Sequence, residues 1–114
     1  CKASCGWSGK AGLKSGPVQS CDASDKPLND QGSTTSGCNG GTAYTCSTQQ
    51  PFEVNSTVSY GFAAAVVLGK KETDTCCACY ELTFTSTAIK GKKMVVQVTN
   101  TGTDLNSNHF DLQI

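Results

Sequence analysis

Cys76-Cys77-Ala78-Cys79-Tyr80-Glu81-Leu82-Thr83-Phe84 is the stretch on which the fold turns. A cysteine cluster runs straight into alternation, with Tyr80, Leu82 and Phe84 on one side and Glu81, Thr83 and Thr85 on the other. Period two is the mark of a half-buried strand. Downstream, the polar turn Lys90-Gly91-Lys92-Lys93 leads into Met94-Val95-Val96-Gln97-Val98-Thr99, rich in β-branched residues, which predicts a second strand and a hairpin. A third short strand is expected over 110–114. Upstream, Asn55 is placed as an N-cap, and Val58, Phe62, Ala65 and Val66 recur at helical spacing up to Gly69, which predicts one helix over 56–67.

The cluster belongs to a set of eight cysteines in 114 residues. Cytosolic thiols are kept reduced, so this density points to a secreted domain stapled by disulfides. A structural zinc site would need paired Cys-x-x-Cys or His-x-x-x-His knuckles, and the chain has no such pair and one histidine, His109. No metal or other cofactor is expected.

One small domain without internal repeat or linker fits this length, with crosslinks supplementing a limited core. The first half, dense in Gly, Ser, Thr, Asn and Asp, reads as crosslinked loops and short strands. Nine lysines, no arginine and nine acidic residues give zero net charge, so no nucleic-acid or anionic-membrane partner is indicated. No apolar run approaches the roughly 20 residues of a membrane span. The sequence starts on a cysteine without a leader pattern and is read as a mature or trimmed form. Asn55-Ser56-Thr57 is a candidate glycosylation acceptor.

The segment 101–111 gathers Asp104, His109 and Asp111 on a loop and the start of a strand. Catalytic groups commonly sit on loops carried by rigid strands. The competing reading is a solvated turn in which Asp104 and Asn108 bond to nearby backbone.

Longer motifs bear on that choice. Cys1-Lys2-x-Ser4-Cys5-Gly6-Trp7, Ser36-Gly37-Cys38-Asn39-Gly40-Gly41, Ala43-Tyr44-x-Cys46, Tyr60-Gly61-Phe62-Ala63-Ala64, the run from Cys76 to Ser86, Lys92-Lys93-Met94-Val95-Val96-Gln97 and Asn108-His109-Phe110-Asp111 occur in the order found in glycoside hydrolase family 45, and the whole chain resembles that family. The resemblance implies a mainly β fold, a six-stranded double-psi β-barrel with long crosslinked loops and a short helix, incomplete in this chain. Closing a barrel would hide the edges of such short strands. It implies a single catalytic-domain fragment over 1–114, acting as a monomer on cellulose or another β-1,4-glucan, by endo-hydrolysis with inversion.

Site residues follow from the same resemblance. Asp111 matches the general acid, which must hold its proton near neutral pH, and Asp104 an accessory acid on a loop over the cleft. His109 lines that region. Trp7 matches an aromatic platform for a distal sugar, whose C–H face lies well against a flat ring. Lys2 and Tyr44 match cleft positions, with plain packing as the alternative for both. The implied disulfides are Cys1–Cys38, Cys5–Cys76 and Cys21–Cys46, with Cys77 and Cys79 bound to cysteines outside the chain.

Three departures qualify the match. The family's general base is an aspartate two residues before the position of Cys1, so it is absent from the sequence as given, and family domains continue well past Ile114. Phe52 stands where tryptophan is usual. Two other functions share the barrel: an expansin-like, non-hydrolytic wall-loosening protein, and a barwin-like defence or lectin domain. Expansins carry a His-Phe-Asp motif and lack that base, so release of reducing ends separates them from a hydrolase.

Overall fold

The computed structural model describes residues 1–102 and 107–114. Along the described chain come β1 (Ser20–Cys21), β2 (Tyr44–Thr45), β3 (Phe52–Glu53), β4 (Val58–Val66), α1 (Glu72–Thr75), β5 (Cys79–Thr83), β6 (Lys93–Thr101) and β7 (His109–Leu112). Two 3-10 turns, Ser4–Gly6 and Gly37–Asn39, interrupt the loops of the first half. β1 and β2 form a small antiparallel ribbon, and β3, β4, β6, β5 and β7 form one sheet.

At the centre of that sheet, β4 and β6 run parallel. β5 pairs antiparallel on the far edge of β6, with Tyr80 opposite Val96 and Leu82 opposite Met94. The other edge of β4 is shared, β3 pairing at its start through Tyr60 and β7 at its end through Ala63 to Val66. No closed barrel is formed among the described residues.

The β5–β6 hairpin follows the predicted pattern. Phe84 N–H bonds to Lys92 O and Gly91 N–H to Phe84 O, and Gly91 takes φ +87°, which glycine adopts freely. Tyr80, Leu82 and Phe84 share the inner face as expected, packing with Phe110 and Leu112 on a core of Ala63, Met94 and Val96. Tyr80 meets Phe110 edge-on at 5.2 Å between ring centroids. Such aromatic pairs contribute about 1 kcal/mol beyond area burial.

The helix expected over 56–67 is instead strand β4. Its core side carries Gly61, Ala63 and Ala65, all buried, while the bulkier Tyr60, Phe62 and Val66 point to the other face. Small residues are needed there because the neighbouring strand fills the space: a Cβ on Gly61 would lie 2.2 Å from Met94 Cε. The inward face therefore has little hydrophobic weight, and the larger residues happen to fall at helical spacing. Asn55 caps no helix; its Oδ1 accepts from Thr57 N–H, Thr57 Oγ1 and Val58 N–H, tightening the exposed turn between β3 and β4. Gly69 (φ +80°) lies in the turn after β4, and the short helix α1 begins three residues later.

Three disulfides join Cys1 to Cys38, Cys5 to Cys76 and Cys21 to Cys46, with Cα separations of 5.2, 5.5 and 5.0 Å. Cys77 and Cys79 are free thiols in the described chain. Burial, together with the neighbouring Cys79, pushes the Cys77 thiol above its ordinary range. Among the described residues no helix is long and apolar enough to cross a membrane.

Cys5–Cys76 ties the amino-terminal turn to the end of α1 across 71 residues, and both sulfurs are buried. A loop of that length restricts the unfolded chain strongly, so replacing both cysteines by alanine should lower stability by about 4 kcal/mol. Urea denaturation measures this, and an unchanged midpoint would show that the turn is held by its hydrogen bonds alone.

Candidate functional site

The carboxyl ends of β4 and β6 bring the chemistry together. Ala64 of β4 pairs on one side with Asp111 of β7 and on the other with Asn100 of β6. Residues in one row across a sheet point to the same face, so a methyl group lies between a carboxylate and an amide. His109 is two residues from Asp111, pairs with Val66, and places Nε2 2.6 Å from Asp111 Oδ1. Along β7 the alternation is strict: Phe110 and Leu112 turn toward the core and His109 and Asp111 away from it.

Both partners are open to solvent, with side-chain exposures of 45% for His109 and 68% for Asp111. A polar contact so exposed contributes at most about 1 kcal/mol to stability. Its effect is on geometry: it engages one carboxylate oxygen, and Oδ2 makes no hydrogen bond among the described residues.

Asn100 reaches this face through an irregularity. Between Ala63 and Ala64 the register with β6 slips, so that Ala63 opposes Val98 and Ala64 opposes Asn100. Thr99 is the extra residue and is buried, its Oγ1 contacting Ala63 O at 3.5 Å. A bulge commonly re-aims a side chain beside an active site. Here Asn100 Oδ1 accepts from Ser4 N–H at 2.7 Å, and Thr101 N–H donates to Ser4 Oγ at 2.9 Å. Those two bonds dock the Ser4–Gly6 turn, and Trp7 after it, at the same end of the sheet as Asp111.

Trp7 is half-buried. Lys2, only 6% exposed, lies against it with Nζ 4.1 Å from the ring centroid, and donates to Gly32 O at 2.8 Å and Thr34 O at 2.6 Å. Desolvation lowers the Lys2 pKa, and the nearby Asp30 carboxylate partly opposes it. Tyr44 is half-buried on β2, where its ring covers Gly37 so closely that a Cβ there would lie 2.1 Å from Cε1. No hydrogen bond or aromatic contact joins Tyr44 to Trp7, His109 or Asp111 among the described residues. Asp104 lies outside the described residues.

Glu72 is a site neighbour that the sequence reading missed. Its Oε1 accepts from Thr101 Oγ1 at 2.7 Å and its Oε2 from Lys10 Nζ at 2.8 Å. The bonds from Lys10 and Thr101 hold its carboxyl below the ordinary range. A shallow depression between Ala65, Val66, Glu72 and Thr101 adjoins the site. No local motif marks Glu72, which reads in sequence as one charge in the polar run 70–74. Among the described residues no group of three or more His, Cys, Asp or Glu could hold a metal ion.

A sequence model described as glycosyl hydrolase family 45 matches residues 1–114. An endoglucanase of Cryptopygus antarcticus is 59% identical over 114 residues, covering 100% of this chain and 49% of that protein. An endoglucanase of Phaedon cochleariae is 45% identical over 108 residues, covering 94% and 44%. The crystal structure of a cellulase from the Antarctic springtail Cryptopygus antarcticus superposes with a TM-score of 0.88 at 57% identity, covering 98% of this chain and 52% of that one. The chain thus spans about half the length of these relatives. A match this close carries the expected double-psi β-barrel class.

Because Glu72 is held below its unfolded value, its contacts stabilise the fold above about pH 4.3 and are lost as pH falls through the lower folded value. The stability difference between wild type and Glu72→Gln should be largest above about pH 4.3, at most about 1 kcal/mol for so exposed a pair, and should shrink below it. Denaturation midpoints across that range test this; a difference constant with pH would mean the ionised carboxylate is not its source.

Proposed function

The chain belongs to glycosyl hydrolase family 45, and from that premise we propose that it carries the general acid of an endo-β-1,4-glucanase that cleaves cellulose with inversion. The single observation behind this is the His109–Asp111 pair, exposed at the end of the parallel strands and continuous with the docked Trp7 segment. Asp111 is the acid. With Oδ1 engaged by His109, Oδ2 is the oxygen from which a proton passes to the leaving glycosidic oxygen.

Inversion needs a second carboxylate, ionised, activating water on the opposite face of the sugar, with the two carboxyls roughly 6.5 to 9.5 Å apart. In the family that base precedes the position of Cys1. Ala64, the small residue beside Asp111 on the same face, leaves room for a glucan chain, and that chain would exclude water from the carboxyl as it binds. Trp7 supplies an apolar surface for a distal sugar ring. Asp104 is the accessory acid and Tyr44 a cleft residue, both on resemblance. Residues 1–114 then form part of a catalytic domain that acts as a monomer without cofactor.

The relatives named endoglucanases support the substrate class. The three disulfides support an extracellular setting.

In the full-length protein, Asp111→Asn keeps the shape and removes the acid. Release of reducing ends from carboxymethylcellulose should fall by at least about 100-fold, the lower end of general acid contributions, while binding to cellulose is unchanged. Wild-type release would overturn the assignment of Asp111. No release from the wild-type protein would favour a wall-loosening role instead.

A further inference from the structure

We infer that Lys2 is a positioning residue: a buried cationic pedestal that fixes the indole of Trp7, rather than a group that touches sugar. The geometry accounts for its whole hydrogen-bonding capacity. An ammonium has three N–H donors and no acceptor. Two are taken by Gly32 O and Thr34 O, at 2.8 and 2.6 Å, and the third is left for the ring 4.1 Å away. Little of the side chain remains accessible, since Lys2 is 6% exposed.

The cage around the ammonium is built from backbone that cannot shift easily. Lys2 N–H donates to Ser36 Oγ at 3.1 Å, which anchors the residue itself. Asp30 shapes the opposing loop, its Oδ1 accepting from Gly32 N–H and its Oδ2 from Thr34 N–H, so that the two carbonyls converge on Nζ. Gly32, at φ +80°, lets that loop press on the Trp7 segment: a Cβ there would lie 2.4 Å from Gly6 O and 2.7 Å from Ser8 N. Its carbonyl also accepts from Ser8 N–H at 3.4 Å, one residue beyond Trp7.

A charge this enclosed persists because carbonyl dipoles, the ring's negative face and the nearby Asp30 carboxylate replace its lost water. The same attraction holds the indole. Trp7 is half-buried on a loop between Gly6 and Gly9, and the cation over its ring supplies a partner that sets its plane. The link from ring to sugar rests on the reading of Trp7 as a platform; the Lys2–Trp7 contact does not.

Two measurements on the full-length protein separate those layers. In NMR spectra of the wild type, the Lys2 ε-methylene should be shifted upfield by the indole ring current, and Trp7→Ala should abolish the shift. An unshifted Lys2 overturns the pedestal, whatever the sugar data. Cellohexaose binding is then compared in wild type, Lys2→Met, Trp7→Ala and the double variant. Lys2→Met should raise Kd about fivefold, within the range of a desolvated cation–π contact, and should add nothing once Trp7 is gone. Additive losses would overturn action through Trp7 and make Lys2 an independent sugar contact. Unchanged affinity in Trp7→Ala would overturn the platform reading, and with it the pedestal's part in binding, while the ring-current result still decides the contact itself.

Discussion

Parallel pairing of β4 with β6 leaves the rest of the sheet few choices. Two parallel neighbours cannot be joined by a tight turn, so α1 and β5 fill the connection between them, and β5 returns antiparallel along the outer edge of β6. The pairing also requires a thin inner face on β4. Gly61, Ala63 and Ala65 leave room for Met94 and Val96, and against that layer Phe110 and Leu112 seat β7. Larger residues on that face would push β6 away and displace the strand that carries Asp111. The chemistry of the site thus depends on three positions where side chains are nearly absent.

The slip in that pairing matters as much as its regular part. In an unbroken register Thr99 would oppose Ala64, and Asn100 would oppose Ala65 and turn inward; with the slip, Asn100 opposes Ala64 and shares a row with Asp111. A one-residue slip therefore converts a core position into the dock for Ser4. The Cys5–Cys76 bridge then holds the same turn from its other side. Trp7 is placed by hydrogen bonds to a bulge and by a crosslink, and Asp111 by apolar residues on either side of it.

The sequence was most legible where burial and bulk coincide. β5 alternates large apolar with polar residues, the first part of β6 is rich in β-branched residues, and the Lys90–Lys93 turn between them is polar and contains glycine, so strand, turn and pairing could all be read locally. β4 defeats the same reasoning because its buried face is Gly and Ala, and a count of hydrophobic residues follows its outer face instead. In the site, His109 and Asp111 were legible through a contiguous motif. Asn100 and Glu72 were not, since one depends on a register slip and the other on Thr101 and Lys10, which lie 29 and 62 residues away. The three disulfide pairs came from family resemblance, for spacing among eight cysteines does not determine connectivity.

Different forces hold the two ends of the site, and the difference has a functional meaning. Asp111 sits on a strand whose inner residues, Phe110 and Leu112, belong to the core, so its backbone cannot move without disturbing Tyr80, Ala63 and Met94. Trp7 is fixed by a buried cation and a loop of carbonyls, an arrangement of short range that the core does not share. On the proposed reading, a change beneath the indole should therefore alter how a glucan is held without altering the placement of Asp111. Trp7 and Asp111 reside in separately supported parts of one face, joined through the Ser4–Asn100 hydrogen bond and the Cys5–Cys76 bridge.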